Sequence, residues 1–276
     1  MKKGLKRSGT FLFALLFSFG IVGCGTNPGA QNGTNPAAQD QANPASQETV
    51  AKITIGTDTS YLPFEFLNQE TGKYDGFDIE LVDAIAKEVG FEYELKPMDF
   101  SGLIPALQTN SLDMVIAGVT IKEERKQVID FSRPYYDAGT LILVRADEQE
   151  IKGVEDLKGK VIATKQGTAA YEYATKIEEV KEVVPFPNID QAYMELEKGS
   201  ADAVIFDSPN VLYYIKTTGQ GKVKTVGDLM QGQQFGIAFP KGSELREKVD
   251  AALEKLMQNG TYDQLYEKWF GEKPKK

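Results

Sequence analysis

Residues 52–118 alternate short apolar segments with longer amphipathic ones, and this alternation restricts the fold more than any other feature of the sequence. The segments, predicted as strand, helix, strand, helix and strand, are KITIGTD, FDIELVDAIAKEVG, FEYELKPM, SGLIPALQTN and LDMVIAG. The first helix carries apolar residues at helical spacing and stops at Gly90. Strands separated by helices in this way are typical of a parallel α/β sheet.

A second series of the same kind follows FSRPYYDAG. Its predicted strands are LILVRA, KVIATK, EVVPF, ADAVIF and FGIAF, and its helices lie in QGTAAYEYATK, in DQAYMELEKG and after Ser208-Pro209. Pro209 fits the first turn of a helix. Two α/β sets joined around residues 135–139 predict two lobes, with a ligand cleft at the carboxyl ends of their strands.

Two further helices are predicted near the C-terminus. Residues 243–259 form a long amphipathic stretch that Gly260 ends. Thr261 and Gln264 then have the spacing of a capping box, which predicts a helix over TYDQLYEKWF. Trp269 and Phe270 are expected to dock this helix on the core.

The stretch 117–125, AGVTIKEER, places a strand end, a helix start and an arginine together. Thr120 and Glu123 have capping-box spacing, so a helix is predicted to start there. A helix N-terminus presents unpaired N–H groups and a partial positive charge, and Arg125 adds a guanidinium whose planar fork matches a carboxylate. These features predict a carboxylate-binding site. The alternative interpretation is that Arg125 is a solvated or salt-bridged surface residue.

The N-terminal 23 residues have the organisation of a secretion signal. A basic segment precedes an apolar run at residues 11–22, which is too short to span a membrane as a mature helix. The run ends in Ile-Val-Gly-Cys24, which resembles a bacterial lipobox, so we expect cleavage before Cys24 and lipidation of Cys24. An ordinary secretory signal with an incidental cysteine and a retained transmembrane anchor are the alternatives. Residues 24–50 repeat Asn-Pro and lack large apolar side chains, which predicts a flexible tether.

Composition excludes several classes of site and partner. The chain has no histidine and one cysteine, which excludes Ser-His-Asp and Cys-His catalysis, an internal disulfide and most zinc sites. Removing the four basic residues of the leader from the total of 31 leaves 27, against 40 acidic residues, a net charge of −13. Such a surface repels phosphate, so we expect no nucleic-acid partner.

A series of longer motifs runs through the folded part of the chain. The motifs are TDTSYLPFEF, GFDIELVDAIAKE, YELKPMDFSGLIPALQT, AGVTIKEERKQVIDFS, FPNIDQAYMEL, ADAVIFDSPN, GIAFPKGSELREKV and NGTYDQLYEKWFG. Together, from about residue 53 to residue 274, they resemble the extracellular solute-binding proteins of polar amino-acid ABC transporters (bacterial family 3), and among these the glutamine-binding members. The resemblance implies an α/β, two-lobed, periplasmic-binding-protein-like fold of type II, with a ligand cleft between lobes joined by two hinge strands.

The resemblance also implies a division of the chain. Lobe 1 would comprise residues 51–134 and 236–276, and lobe 2 residues 140–230. The two hinges would lie at residues 135–139 and 231–235. The last part of the chain would therefore return to the first lobe.

The family pattern assigns roles to residues of this sequence. Arg125 would bind the ligand α-carboxylate, with N–H groups of Thr120 and of the loop 167–169. Asp207 would bind the α-ammonium, together with the carbonyl of Gly118. The full expected ligand-binding set is Asp58, Tyr61, Phe100, Ala117, Gly118, Thr120, Arg125, Lys165, Gly167, Thr168, Ala169 and Asp207.

The remaining assignments concern the ligand side chain. Tyr61 and Phe100 would enclose its aliphatic stem, while Asp58 would accept from its amide and Lys165 would donate to it. The four charged residues Asp58, Arg125, Lys165 and Asp207 sum to zero, which suits a zwitterion with a neutral side chain. The chain departs from the glutamine-binding pattern at Phe206, where that pattern often has a histidine.

We therefore expect a lipid-anchored receptor on the extracellular face of the cytoplasmic membrane. It would be a monomer without cofactor or enzymatic activity that captures a free L-amino acid, with glutamine favoured, by hinge bending and delivers it to an ABC permease. Three alternatives remain open: another polar amino acid (glutamate, histidine, arginine or lysine), a ligand-sensing module for a signalling receptor, and an enzyme such as a dehydratase on the same scaffold.

Overall fold

The structure, a computed structural model, describes residues 52–274, and its first part alternates strands and helices as predicted. In chain order the elements are β1 (Lys52–Thr57), β2 (Ser60–Tyr61), β3 (Glu65–Asn68), β4 (Lys73–Asp75), α1 (Phe77–Val89), β5 (Glu92–Pro97), α2 (Phe100–Gln108), β6 (Met114–Val115) and α3 (Glu123–Lys126). Helix α1 ends at Gly90, whose φ of 85° is the left-handed conformation that commonly terminates helices. The predicted leader and tether, with Cys24, lie outside the described residues.

A long strand, β7 (Ile129–Arg145), leads to the second part. The following elements are a 3-10 turn (Val154–Leu157), β8 (Val161–Lys165), α4 (Ala169–Ala174), β9 (Glu182–Phe186), α5 (Ile189–Lys198), β10 (Ala203–Asp207), α6 (Ser208–Lys216), β11 (Val223–Pro240), α7 (Leu245–Gln258) and α8 (Thr261–Phe270). Pro209 lies in the first turn of α6, as predicted. Among residues 52–274, no helix has the length and apolar character needed to cross a membrane.

One eight-stranded sheet runs through both parts, in the order β5-β1-β6-β11-β7-β10-β8-β9. Strand β1 pairs in parallel with β5 and β6, and β8 pairs in parallel with β9 and β10, so the predicted parallel arrangement is found on each side. Between them β7 and β11 pair antiparallel along most of their length. We use lobe 1 for the part built on β1, β5 and β6, and lobe 2 for the part built on β8, β9 and β10.

Both long strands extend further than the apolar runs indicate. The run LILVRA begins at Leu141, but β7 begins at Ile129 and includes residues 135–139, where the sequence predicts the connection between the two α/β sets. That segment is a strand because its backbone pairs with β11. The segment between β1 and α1, for which the sequence indicates no strand, contains β2, β3 and β4, which form a separate antiparallel sheet.

The predicted capping box at Thr120 is wrong. Helix α3 begins at Glu123, and the residue that precedes it, Lys122, makes no side-chain capping hydrogen bond. The Thr120 hydroxyl instead donates to Gln233 Oε1 at 2.9 Å, and its backbone forms an isolated bridge with Phe235 of β11. A partner that is distant in sequence therefore replaces the local capping contact.

The second capping box is wrong as well, although the helix exists. Helix α8 includes Thr261 as its first residue and is preceded by Gly260, without a side-chain cap. The helix is held mainly by packing: the Phe270 ring lies 5.2 Å from both Phe64 and Phe77, measured between centroids, and Trp269 meets Phe66 edge-on at 6.0 Å. Both aromatic residues thus dock α8 on lobe 1, as the sequence suggested.

Candidate functional site

The predicted site residues meet at the carboxyl ends of strands from both lobes. Asp58 follows β1, Lys165 ends β8 and Asp207 ends β10. A small pocket between the lobes is lined by Asp58, Tyr61, Phe100, Ala117, Gly118, Thr120, Lys165, Thr168, Ala169, Phe206 and Asp207. This lining includes every predicted residue except Arg125 and Gly167, which adjoin it: Arg125 Nη2 donates to the carbonyl oxygen of Gly167 at 3.2 Å.

Arg125 is buried, with 6% of its surface exposed, so its interpretation as a surface residue is wrong. Its Nη1 donates to the carbonyl oxygen of Thr120 at 3.1 Å, and its Cζ lies 5.8 Å from the centre of the Phe100 ring. Burial lowers the pKa of Arg125, while the carboxylates of Glu172 and Asp207 oppose that effect. Because a guanidinium stays protonated in proteins, a permanent positive charge lies at the edge of the pocket.

Asp207 provides a negative charge from lobe 2. The Tyr61 hydroxyl donates to its Oδ2 at 3.1 Å, whereas Oδ1 is buried and makes no hydrogen bond within the described part of the chain. Burial raises the pKa of Asp207 to about 7, with Tyr61, Arg125 and Lys165 acting in the opposite direction. The free oxygen can accept a hydrogen bond from a cationic group in the pocket.

Asp58 and Lys165 form an ion pair between the lobes. Their side chains are only 2% and 1% exposed, and the Lys165 ammonium also donates to the carbonyl oxygen of Ser60 at 3.2 Å. The second oxygen of Asp58 accepts from the Thr59 amide at 2.6 Å. The family resemblance implies that both charged groups face a ligand side chain; in the structure they also neutralise each other.

Gly118 has a backbone conformation that other residues rarely adopt. Its φ is +55°, and a Cβ atom at this position would lie 2.4 Å from a ring carbon of Tyr61. Its N–H donates to Asp78 Oδ2 at 3.1 Å and to the Tyr135 hydroxyl at 3.2 Å. Burial raises the pKa of Asp78 to about 7, although the hydrogen bonds that Asp78 accepts from the Tyr135 hydroxyl, at 2.8 Å, and from the Gly118 N–H counteract the rise. Asp78, which sequence reasoning missed, thus fixes the orientation of a pocket residue.

The loop before α4 approaches lobe 1 closely. Gly167 has a φ of +77°, and a Cβ there would lie 3.0 Å from the backbone of Ser101. Thr168 caps α4, because its hydroxyl accepts from the Tyr171 amide at 3.1 Å. The loop therefore enters a helix as predicted, and glycine allows the close approach.

Other contacts between the lobes surround the pocket. Further hydrogen bonds are formed by the Ser60 hydroxyl with Asp190 at 2.9 Å, the Asn210 amide with the carbonyl oxygen of Leu62 at 2.6 Å, and the Lys122 ammonium with Glu172. The two residues of each pair are far apart in the sequence, so no local sequence pattern indicates the contact. Phe206, which replaces the histidine of the glutamine-binding pattern, is buried and meets the Tyr61 ring edge-on at 5.7 Å.

Comparison with known proteins identifies the family that the sequence motifs resemble, and the match covers nearly all the described residues. The family model of bacterial extracellular solute-binding proteins, family 3, matches residues 53–272. The L-cystine-binding protein TcyJ of Escherichia coli K12 is 34% identical over 221 residues, covering 79% of this chain and 82% of that protein. The ABC transporter glutamine-binding protein GlnH of Bacillus subtilis 168 is 35% identical over 229 residues, with 81% and 82% covered.

A solved structure shows the same fold at higher identity. An ancestral arginine-binding protein is 46% identical to this chain and superposes with a TM-score of 0.76, covering 80% of this chain and 98% of its own. Its structure has been determined with bound arginine and, separately, with bound glutamine.

Proposed function

This chain belongs to the bacterial extracellular solute-binding proteins, family 3, and is thus an amino-acid-binding protein of an ABC transporter; we propose that its ligand is L-glutamine. The observation that carries the assignment of a free amino acid is that a permanent positive charge lies at the edge of a buried pocket and an ionisable carboxyl group lines it. Arg125 comes from lobe 1 and Asp207 from lobe 2, and both are at least nine-tenths buried. A free amino acid carries the two complementary charges on groups attached to the same carbon atom.

The α-carboxylate binds to Arg125 in this proposal. A guanidinium has five N–H donors, and two hydrogen bonds to carbonyl oxygens, of Thr120 and Gly167, hold its plane in position. The remaining donors are available for a carboxylate, together with the N–H groups of Thr120 and of residues 167–169. Such charge-assisted hydrogen bonds are stronger than neutral ones.

The α-ammonium binds to Asp207. Its Oδ1 is buried and lacks a hydrogen-bond partner among residues 52–274, which is unfavourable unless a donor is supplied. An ammonium group supplies that donor and also favours the ionised carboxylate. The carbonyl oxygen of Gly118 accepts a second ammonium proton.

The side-chain amide of glutamine binds at the Asp58–Lys165 pair. An amide has both a donor and an acceptor, so it can donate to Asp58 and accept from Lys165 without changing the charge of the pocket. Tyr61 and Phe100 enclose the aliphatic stem. A glutamate carboxylate would face Asp58, and a cationic side chain would face Lys165, so both are disfavoured.

Arginine is the second candidate. The observation that favours it is that the ancestral arginine-binding protein has been solved with each of the two amino acids, arginine and glutamine. To bind in this chain, the guanidinium of the ligand arginine would need to displace the Lys165 ammonium from Asp58. Relative affinity for arginine and glutamine therefore depends on how firmly this ion pair is held.

We propose further that the protein is anchored at the membrane and that its lobes open and close during transport. Cys24 is lipidated and holds the protein, as a monomer, on the extracellular face of the membrane. Lobe 2 (140–230) closes on lobe 1 (51–134 and 236–276) by bending at 135–139 and 231–235, and a permease recognises the closed form. No chemical change of the ligand is part of this function; a ligand recovered altered after incubation would indicate an enzyme.

Calorimetric titration tests the ligand assignment. The protein from residue 47 onward is unfolded, washed free of ligand and refolded, and is then titrated with each of the twenty common amino acids. Tight binding of glutamine, weaker binding of glutamate and no detectable binding of arginine support the proposal. Tight binding of arginine or lysine refutes the assignment of Lys165, and no binding of any amino acid refutes the ligand class.

A further inference from the structure

Gln233 is a buried polar residue on β11, within the segment proposed as the second hinge. It is 7% exposed, and both ends of its side-chain amide are hydrogen bonded. Its Oε1 accepts from the Thr120 hydroxyl at 2.9 Å, and its Nε2 donates to the Thr140 hydroxyl at 2.6 Å. The amide therefore joins two hydroxyl groups that are themselves buried.

The two partners of Gln233 belong to different lobes. Thr120 lines the pocket on the lobe 1 side. Thr140 lies on β7 directly opposite Asp207 of β10, in the lobe 2 part of the sheet. A single side chain thus connects the lobes, and each of its partners is a pocket residue or the sheet neighbour of one.

The backbone pairing between the two hinge strands is irregular next to Gln233. Gln233 is opposite Ala138, but Met230 is opposite Thr140, so β11 contains one more residue than β7 in this interval. Within it Gln231 has a φ of +43°. Such a bulge interrupts the ladder of backbone hydrogen bonds, and the side chain of Gln233 spans the interruption.

We propose that Gln233 is a positioning residue that stabilises the closed arrangement of the lobes and thereby raises ligand affinity. The inference rests on the proposed function, because it concerns closure around an amino acid. Bending at the hinge changes the separation between Thr120 and Thr140. When the two hydroxyl groups move apart, the single Gln233 amide cannot keep a hydrogen bond to each of them. At least one of its hydrogen bonds therefore exists only when the lobes are closed.

The effect on affinity follows from population shift. Any interaction that exists only in the closed form increases the fraction of protein that is closed. The apparent affinity of a ligand that binds only the closed form rises in proportion to that fraction. The net free energy that one hydrogen bond contributes in a folded protein changes an equilibrium constant several-fold. Losing both bonds of Gln233 should weaken ligand binding by about tenfold.

The test compares Gln233→Met with Gln234→Met. Methionine keeps the length of the side chain but removes its hydrogen-bonding groups at both positions. Gln234 is a matched control because it is the next residue of the same strand, its side chain is exposed, and its Nε2 donates to Asp137 of β7 within the hinge itself at 3.0 Å. We expect about tenfold weaker glutamine binding for Gln233→Met and less than twofold change for Gln234→Met.

A second pair of variants isolates the lobe 2 contact. Thr140→Ser keeps the hydroxyl that accepts from Gln233, whereas Thr140→Val removes it with little change of shape. Small-angle scattering of the ligand-free proteins measures closure directly through the radius of gyration. If Gln233 had a purely structural role, its substitution would leave this radius unchanged. We expect a larger radius of gyration for Gln233→Met and Thr140→Val than for wild type, Gln234→Met and Thr140→Ser.

The outcomes separate this inference from the proposed function. Equal binding and equal scattering profiles of Gln233→Met and wild type overturn the inference, as do equal losses in Gln233→Met and Gln234→Met. If wild type binds no amino acid, the proposed function fails, and the scattering of ligand-free variants still decides whether Gln233 favours closure. Urea denaturation of each variant confirms that the proteins compared are folded.

Discussion

Lys165, the last residue of β8 in lobe 2, forms an ion pair with Asp58, which follows β1 in lobe 1, in a site from which water is almost excluded. Two charges removed from water are tolerated only while they remain together. In the proposed opening of the lobes, the partners separate and return to solvent. We therefore expect the pair to affect the equilibrium between open and closed lobes more than it affects unfolding.

The first prediction concerns Lys165→Met. The change leaves the Asp58 carboxylate without its partner whenever the lobes close, and removal of one member of a buried pair typically costs about 3 kcal/mol or more. We expect glutamine affinity to fall by about 100-fold, and arginine to bind better than it does to wild type, because its guanidinium can replace the ammonium. Calorimetry with both amino acids measures the two effects.

The double variant Asp58→Asn with Lys165→Met is the control for this prediction. It removes both charges, so we expect it to close more readily than Lys165→Met alone and to recover part of the stability of the closed form. Urea unfolding of the ligand-free single variant should change little. Unaltered glutamine binding by Lys165→Met would show that the pair has no part in closure or ligand recognition.

The second prediction concerns Arg125→Lys. Lysine keeps the positive charge but lacks the planar fork that contacts Thr120, Gly167 and a carboxylate together. We expect at least a tenfold loss of amino-acid affinity, measured by calorimetry. Arg133→Lys is the control, because Arg133 pairs with Asp250 and Glu254 away from the pocket. Comparable losses in the two variants would contradict the role of Arg125.

The third prediction is a pH dependence of ligand affinity caused by Asp207. Burial raises its pKa to about 7 in the protein without ligand, and an ammonium group binds the ionised carboxylate. Affinity for glutamine should therefore decrease as the pH falls below about 7, by up to about tenfold per pH unit. Titrations between about pH 5 and about pH 8 measure the slope.

The stability of the ligand-free protein has the opposite pH dependence. Because the pKa of Asp207 is higher in the folded protein than the ordinary value of 3.8, the folded state binds more protons between these two values. The contribution of Asp207 to stability is thus present at low pH and is lost as the pH rises through about 7. Asp207→Asn should reduce the pH dependence both of glutamine affinity and of stability. A wild-type affinity for glutamine that does not change between about pH 5 and about pH 7 would disprove the assignment of Asp207 to the α-ammonium.

The fourth prediction concerns Gly118→Ala. The substitution imposes a positive φ on alanine and places its Cβ against the Tyr61 ring, so strain and overpacking add to about 3 kcal/mol of lost stability. Gly72→Ala is the control, since Gly72 also has a positive φ but no atom near its added Cβ; we expect about 1 kcal/mol there. Urea denaturation measures both, and equal losses would show that contact with Tyr61 is unimportant.

The fifth prediction concerns the lipid anchor. The chain contains a single cysteine, so Cys24→Ser removes the only position for thioether lipidation. We expect wild type in the membrane fraction and the variant in the medium or in unprocessed form, as judged by fractionation and by incorporation of a labelled fatty acid. Absence of label from wild type would contradict lipidation.

The location of the site was predictable because it depends on chain order. Asp58, Lys165 and Asp207 each end a strand or follow one, and the carboxyl ends of parallel strands meet at one edge of a sheet. Their individual ligand roles came from the resemblance to a family. Spacing alone left Arg125 open to a surface interpretation, which its burial excludes.

The errors arose where a distant residue competes with a local pattern. Thr120 and Glu123 have the spacing of a capping box, but the Thr120 hydroxyl bonds to Gln233, more than a hundred residues away. Likewise Asp78 resembles an ordinary acidic residue at a helix start, and only the fold shows that it holds the Gly118 amide. No local pattern contains these partners.

The position of β11 affects the order in which the sheet can be assembled as the chain emerges from its N-terminal side. This strand lies between β6 and β7 in the sheet, although it follows β10 in the chain. In the proposed export of this protein through the membrane, the strands of lobe 1 and lobe 2 emerge before the strand that joins them. The two parts of the sheet can therefore be united only after Val223–Pro240 has emerged, so an interruption of export before this segment should leave two unjoined edges available to chaperones or to other chains.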